Sequence, residues 1–135
     1  MEVAVDTSVA VPLIMQAHTS HRQVRGALVG RSLVLTGHSL AETYSVLTRL
    51  PGDARLAAHD AATVIAATFG APALLAPESA ATMHTTLAKL GIAGGAVYDG
   101  LVALAALDNG LGLISRDNRA AATYATLGVE VEMIR

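Results

Sequence analysis

The stretch Val3-Ala4-Val5-Asp6-Thr7-Ser8 begins as an apolar strand and ends in a polar turn that carries an acid. Thr7 and Ser8 are good helix N-cap residues, so a helix from about Val9 to Met15 is predicted directly after the strand. Pro12 fits that helix only if it lies in the opening turn, because proline donates no backbone hydrogen bond. The first unit of the chain is therefore a strand, an acidic residue and a helix.

The same order recurs along the chain, with helical periodicity or turn residues between the apolar runs. The five predicted strands are Val3–Val5, Leu33–Thr36, Ala73–Ala76, Leu111–Ile114 and Val129–Ile134. Strands that alternate with helices imply parallel pairing and right-handed crossovers. No internal repeat or linker appears, so we expect residues 1–135 to form one α/β domain. It should have three α/β/α layers and a mostly parallel central sheet of about five strands.

Composition narrows the class of protein further. Hydrophobic residues make up 53% of the 135 residues and the mean hydropathy is +0.50, so we expect a homo-oligomer or a tightly bound partner. The absence of cysteine excludes disulfides and thiolate metal sites. The longest apolar tract, residues 97–114, is interrupted by acids, which argues against a membrane span and for a soluble cytoplasmic protein. The net charge is −2, so the chain lacks the excess of basic residues that most nucleic-acid-binding proteins have.

Four acids, Asp6, Glu42, Asp99 and Asp117, stand where a parallel sheet would gather them. Ligands of open parallel sheets bind beyond the carboxyl ends of the strands, and Asp6 and Asp117 each follow a predicted strand. Carboxylates crowded into one cleft repel each other, so a cation between them is the simplest partner. Oxygen ligands favour Mg²⁺ or Mn²⁺, which predicts metal-assisted hydrolysis of a phosphate ester.

Most of these acids also have a purely structural explanation. Asp6 and Asp117 can cap the helices that follow them, and Glu42 can close a capping box with Ser39. Asp99 is different, because it lies in a helix rich in alanine, glycine and valine that should be mostly buried. A buried acid without a partner is costly, so Asp99 carries the most weight in the metal-site hypothesis.

Four segments of the chain, taken together, resemble the PIN domain, and more closely the VapC toxins of bacterial toxin–antitoxin pairs. They are Val3–Ser8, Leu40–Leu50, Gly95–Asp99 and Leu113–Asp117, and each contains one of the four acids. They follow the family's order and approximate spacing over nearly the whole chain. The resemblance implies an endoribonuclease that uses Mg²⁺ or Mn²⁺, is neutralised by a cognate VapB-type antitoxin and forms a homodimer.

The resemblance also implies roles for the acids. Asp6 and Asp99 would be the most direct metal ligands, and Glu42 and Asp117 would complete a pocket that is both catalytic and metal-binding. A metal held by carboxylates can lower the pKa of bound water and stabilise charge on a phosphate. The expected reaction is in-line attack of metal-activated water on an RNA phosphodiester, with an acidic side chain orienting the water.

Residues beside the acids receive supporting roles. Ser8 and Ser115 are expected to be supporting hydroxyls in the site. Arg116 and Arg119 flank the last acid and are candidates for holding RNA phosphates, although solvated loop arginines are the alternative. The residue after the last acid is Asn118, so a fifth acid sometimes found there in the family is absent.

Other functions fit the residues less well. A phosphotransfer receiver needs a lysine after the last strand, but the one lysine, Lys89, lies in a predicted helix. A haloacid-dehalogenase-like phosphatase needs a second aspartate where Ser8 stands. The five histidines form no recognised zinc pattern. The serious rival is a catalytically silent PIN-like module that acts through RNA or protein contacts, and the intact set of acids favours the enzyme.

Overall fold

A computed structural model describes all 135 residues and shows four strands and seven α-helices. The strands are β1 (Glu2–Val5), β2 (Ser32–Leu35), β3 (Leu113–Ser115) and β4 (Val131–Met133). The helices are α1 (Thr7–Ile14), α2 (His21–Leu28), α3 (Gly37–Thr48), α4 (Ala58–Thr68), α5 (Pro77–Lys89), α6 (Ala96–Asp108) and α7 (Asn118–Leu127). None of them is both long enough and apolar enough to cross a bilayer.

The four strands form one parallel sheet in the order β2-β1-β3-β4. In the centre, Val5 lies opposite Leu35 on one side and Ile114 on the other. Every parallel connection needs a crossover, and the helices between the strands supply it. The order brings the first predicted strand and the one before Asp117 side by side, which the acidic-cleft hypothesis required.

The two faces of the sheet are buried by different helices, because successive side chains of a strand point to opposite faces. Val5 and Ile114 pack with α1, α2, α3 and α4 in one hydrophobic cluster. Ala4 and Leu113, their neighbours in sequence, pack with α6 and α7 in the other. This gives the predicted three-layer α/β/α arrangement.

The predicted number of strands was wrong by one. Ala73–Ala76 forms only a single parallel bridge, between Ala73 and Thr36, and not a strand. Thr36 is the N-cap of α3, so the chain turns into a helix there and the pairing cannot continue along Ala73–Ala76. The last predicted strand, Val129–Ile134, does lie at the sheet edge, although its paired part is only β4.

Pro12 lies in the second turn of α1, so the expectation that it would occupy the opening turn was wrong. Asp6, and not Thr7 or Ser8, is the N-cap, and the helix therefore begins two residues earlier than predicted. The helix ends two residues beyond Pro12, at Ile14.

The capping box predicted between Ser39 and Glu42 was also wrong. Thr36 is the N-cap of α3, and its hydroxyl accepts a hydrogen bond from the backbone of Ser39 at 3.2 Å. The Ser39 hydroxyl accepts in return from the Thr36 backbone N–H at 2.9 Å. Because Ser39 takes the place of the acid in the box, Glu42 has no capping role.

Candidate active site

The carboxyl ends of β1 and β3 place two of the four acids next to each other. Asp6 follows β1 and caps α1, accepting from the backbone N–H of Ser8 at 3.1 Å. Asp117 follows β3 and caps α7, accepting from the backbone N–H of Arg119 at 2.9 Å. Both acids therefore do have the structural role that the sequence allowed, and that role holds them at the crevice of the sheet.

The other two acids come from helices that pack against each other at the same edge. Glu42 lies in the second turn of α3 and is exposed, and Asp99 lies in the first turn of α6 and is half-buried. The pKa of Asp99 is raised, first by burial and then by the carboxylates of Asp117, Asp6 and Glu42. The other three acids therefore all lie close enough to Asp99 to raise its pKa, and we call the four together the carboxylate pocket.

Asp6 is held by four hydrogen bonds, which fill the usual acceptor positions of its carboxylate. Oδ1 accepts from the backbone N–H and the hydroxyl of Ser8. Oδ2 accepts from the hydroxyl of Ser115 and, at 2.8 Å, from that of Tyr124. Asp6 is only 6% exposed, so these donors offset the cost of burying its charge.

Asp99 has the opposite surroundings. Its carboxylate accepts no hydrogen bond from the protein, and the positive charge of Arg119 lowers its pKa less than burial raises it. Its carboxylate is therefore a negative group, crowded by three others, that lacks a donor from the protein. A cation or a water molecule is the partner that such a group can accept.

The donor set suits a hard divalent cation, because it consists of carboxylate oxygens and contains no thiolate. The carboxylates are near neighbours, yet no three acidic or histidine side chains are close enough to hold one ion together. The pocket thus has the chemistry of a Mg²⁺ or Mn²⁺ site, and its side chains must draw closer to bind the ion.

The two serines predicted to support the site link the two loops that carry Asp6 and Asp117. Ser8 donates to Asp6 and accepts from the backbone N–H of Arg116 at 2.8 Å. Ser115 donates to Asp6 and accepts from the backbone N–H of Asp117 at 3.0 Å. Each hydroxyl therefore fixes the position of one acid relative to the other.

The two candidate RNA-binding arginines differ in their freedom. Arg116 donates to the backbone carbonyl of Ser8 at 3.1 Å and to the hydroxyl of Ser20 at 2.8 Å, so its guanidinium ties α1 to the segment before α2. The side chain of Arg119 is 92% exposed and lies 3.3 Å from Asp117. Arg119 is therefore the arginine that a phosphate could reach, because its one side-chain hydrogen bond, to Asp117, leaves its other N–H groups open to solvent.

The sequence interpretation missed Tyr124. This residue of α7 is 1% exposed, and burial and the neighbouring Asp6 carboxylate raise the pKa of its hydroxyl far above the ordinary value. The hydroxyl therefore stays protonated and remains a donor to Asp6. A tyrosine on the buried face of a helix usually has a partner for its hydroxyl, and that was the available signal.

Known proteins resemble the chain over nearly its whole length. The PIN domain family model matches residues 3–125. Ribonuclease VapC27 of Mycobacterium tuberculosis is 51% identical over 129 residues, which cover 96% of this chain and 94% of that protein. Ribonuclease VapC40 of the same organism is 40% identical over 134 residues, 98% of each chain.

Solved structures agree on the fold. A chain in the crystal structure of VapBC2 from Rickettsia felis, bound to a DNA fragment from its promoter, superposes with a TM-score of 0.69. It is 14% identical, and the match covers 100% of both chains. The family model covers most of the chain, and the relatives match it over nearly their whole length. The sheet also carries two acids at its central carboxyl ends and two more on adjoining helices. The chain therefore belongs to the PIN domain family.

Proposed function

We propose that this chain is a Mg²⁺- or Mn²⁺-dependent endoribonuclease that acts as the toxin of a VapBC-type toxin–antitoxin system. The observation that carries the proposal is the Asp99 carboxylate, half-buried among three other acids and without a donor from the protein. The relatives of 51% and 40% identity are named ribonucleases, which supports RNA as the substrate. A purely structural acid would have its own hydrogen-bond partners, as Asp6 does.

Asp99, Asp117 and Glu42 would offer the metal oxygens that have free acceptor positions, and Asp6 would join them only in exchange for one of its donors. The acceptor positions of the Asp6 carboxylate are already occupied by donors from the protein. Its main role would be to hold a fixed position at the centre of the pocket. A bound divalent cation would supply positive charge to the scissile phosphate and lower the pKa of a coordinated water.

The remaining steps belong to the side chains of the protein. Asp99 can accept a hydrogen bond from the attacking water and so orient it towards the phosphorus. Ser8, Ser115 and Tyr124 keep Asp6 in a single position during the reaction. Arg119, exposed beside Asp117, can neutralise part of the charge on a phosphate at the rim.

Cleavage of RNA tests the enzyme against the silent binding module. Wild-type protein with Mn²⁺ or Mg²⁺ should cleave total cellular RNA, and EDTA should stop it. Asp99→Asn should lower the rate by about a hundredfold or more, because it removes a group at the reacting centre. Asp60→Asn, an exposed acid of α4 outside the carboxylate pocket, is the control and should leave the rate unchanged.

The result that favours the silent module is equally clear. Intact RNA after incubation with either metal, together with no Mn²⁺ uptake by calorimetry, would remove the nuclease proposal. In cells, growth arrest on expression should disappear with Asp99→Asn. Growth arrest that persists in this variant would assign toxicity to binding and not to cleavage.

A VapB-type antitoxin is the partner we propose, and an apolar groove between α3 and α4 is where it binds. The groove encloses about 640 Å³, and nine of its twelve lining residues are hydrophobic, among them Leu40, Tyr44, Ile65 and Phe69. An amphipathic helix of a partner can bury its apolar face in such a groove. We also propose that the toxin is a homodimer, which light scattering of the purified protein would test.

A further inference from the structure

His38 and Tyr98 form a stacked pair at the edge of the carboxylate pocket. Their ring centroids are 5.2 Å apart and their planes differ by 17°, an offset-stacked geometry that is favourable for aromatic rings. His38 lies in the first turn of α3 and Tyr98 in the first turn of α6. The stack therefore joins the two helices that carry Glu42 and Asp99.

The pair is directly connected to two acids of the pocket. Tyr98 precedes Asp99 in the chain, and Nε2 of His38 lies 3.7 Å from a carboxylate oxygen of Glu42. The same Nε2 is buried and has no hydrogen-bond partner. The back of the stack is thus held within the protein, between α3 and the start of α6.

The front of the stack is open. Tyr98 is 56% exposed although His38 covers one face of its ring, so much of the exposed surface belongs to the other face and the hydroxyl edge. Tyr44, on the same helix as His38, is 39% exposed, lines the apolar groove and has no aromatic ring against it. Of these two tyrosines, only Tyr98 presents a backed aromatic face beside the acids.

The charges around the pocket favour a nucleobase as the occupant of that face. The chain has a net charge of −2, Arg116 is engaged internally, and Arg119 is exposed but shares its charge with Asp117. Few cations are therefore free to attract the phosphates of RNA near four carboxylates. Stacking of a base on an aromatic ring needs no opposite charge, and it changes affinity by about 5- to 150-fold per base.

We propose that Tyr98, backed by His38, is the stacking platform for one unpaired nucleobase of an RNA whose phosphate enters the carboxylate pocket. The proposal rests on the proposed nuclease function and specifies its substrate class. Bases within a duplex are already stacked on their neighbours, so the platform selects single strands and loops over double-stranded RNA. His38 is a positioning residue that keeps the Tyr98 ring in place.

Binding in the absence of metal separates the platform from catalysis. The full-length protein is titrated in EDTA against a short fluorescein-labelled single-stranded RNA, and anisotropy reports the Kd. Tyr98→Leu should weaken binding by about fivefold or more, whereas Tyr98→Phe, which keeps a ring, should retain the affinity. Leu107→Ala, at an exposed apolar residue near the other end of α6, is the control and should bind like the wild type.

The same RNA with its central bases removed distinguishes stacking from other effects. Wild-type protein should bind this abasic strand about as weakly as Tyr98→Leu binds the intact one, and the substitution should not weaken abasic binding further. His38→Ala should lose part of the affinity and His38→Phe should recover it, because only a ring restores the back of the stack. Thermal unfolding of each variant checks that the fold is kept.

Several results would overturn the platform. One is undetectable binding of the RNA by the wild-type protein, and another is equal Kd values for wild type and Tyr98→Leu. A third is that Tyr98→Leu weakens the affinity for the intact strand and for the abasic strand by the same factor. Unchanged RNA binding with a weakened antitoxin complex would assign Tyr98 to a protein contact instead. Tyr98-dependent binding without cleavage in Mn²⁺ would keep the platform and remove the nuclease. Cleavage of RNA in Mn²⁺ together with binding that does not depend on Tyr98 would keep the nuclease and remove the platform.

Discussion

At the scale of single residues, Asp6 and Asp99 show how one pocket treats two acids differently. Four donors surround Asp6, so the protein itself stabilises that carboxylate. Asp99 receives none and is crowded by its acidic neighbours. The free protein therefore carries an unfavourable charge at Asp99, and this cost is what a bound cation would relieve.

Asp99→Asn should stabilise the metal-free protein at pH 7. The pKa of Asp99 in the folded state lies above the ordinary value of 3.8, so ionisation costs the folded state more than the unfolded state. The gain from Asn should be complete at pH values above the raised pKa. It should shrink on acidification and vanish below about 3.8, where the acid is protonated in both states.

Thermal unfolding in EDTA at several pH values measures this difference. Asp60→Asn serves as the control, because Asp60 lies in the first turn of α4, where a negative charge is favourable to the helix dipole. That variant should lose a little stability or none. A lower melting temperature of Asp99→Asn at pH 7 would contradict the assigned electrostatic cost.

Tyr124→Phe should destabilise the protein by about 1.5–3 kcal/mol, the typical value for a hydrogen bond to a charged group. The substitution removes the hydroxyl that donates to the Asp6 carboxylate at 2.8 Å and leaves that buried acid with one donor fewer. Urea unfolding measures the change in free energy. Tyr44→Phe, at an exposed tyrosine, is the control and should change it by less than about 0.5 kcal/mol.

At the scale of elements, the packing of α5 against α6 sets the position of the helix that carries Asp99. Gly100, the next residue, allows the close approach, because a Cβ atom there would lie 2.8 Å from Cδ2 of Leu87. Leu87 is itself almost fully buried and cannot turn out into solvent. A glycine inside this helix is therefore required by packing, although it lowers helix propensity.

Gly100→Ala should consequently destabilise the protein by about 1–3 kcal/mol, the usual cost of overpacking. Gly26→Ala in α2 should do the opposite and stabilise it by up to about 1 kcal/mol, since nothing lies within 4 Å of the added Cβ. Urea unfolding of both variants measures the two free energies. Equal signs for the two substitutions would show that helix propensity, and not the contact with Leu87, decides the effect.

At the scale of the whole molecule, the protein has two surfaces with different chemistry. The carboxylate pocket lies beyond the carboxyl ends of β1 and β3, and the apolar groove lies between α3 and α4. Helix α3 contributes to both, with Glu42 on one side and Leu40 and Tyr44 on the other. A partner in the groove is thus placed next to the proposed catalytic site.

Ala66→Asp should weaken the complex with the co-expressed antitoxin by more than about tenfold, because it places a charge inside the apolar groove. Ala67→Asp is the matched control, since the next residue of α4 is also exposed but does not line the groove. Affinity chromatography and calorimetry on the purified chains measure both. Equal retention of the antitoxin by the two variants would exclude the groove as its binding site.

How far the sequence could predict the fold is clearest at β1 and α3. The alternation of apolar runs with helical periodicity predicted the parallel sheet and the acids at its edge, because those signals are local. The predicted start of α3 was wrong, since Ser39–Glu42 matches the usual capping-box pattern, whereas the pair that forms the box, Thr36–Ser39, has serine in place of its Glu or Gln. The burial of Thr36 and Ser39 against the sheet decides between them, and burial depends on residues distant in sequence.

The amino-acid sequence by itself determined the α/β class, the identity of the four acids and the strand ends that carry two of them. Only the tertiary structure decided which donors surround Asp6, that Asp99 has none, and that Tyr98 stacks on His38. Strand and helix patterns depend on neighbours a few positions away, whereas these contacts join segments up to 118 residues apart. Their geometry follows from how the helices pack on the sheet, which no local pattern encodes.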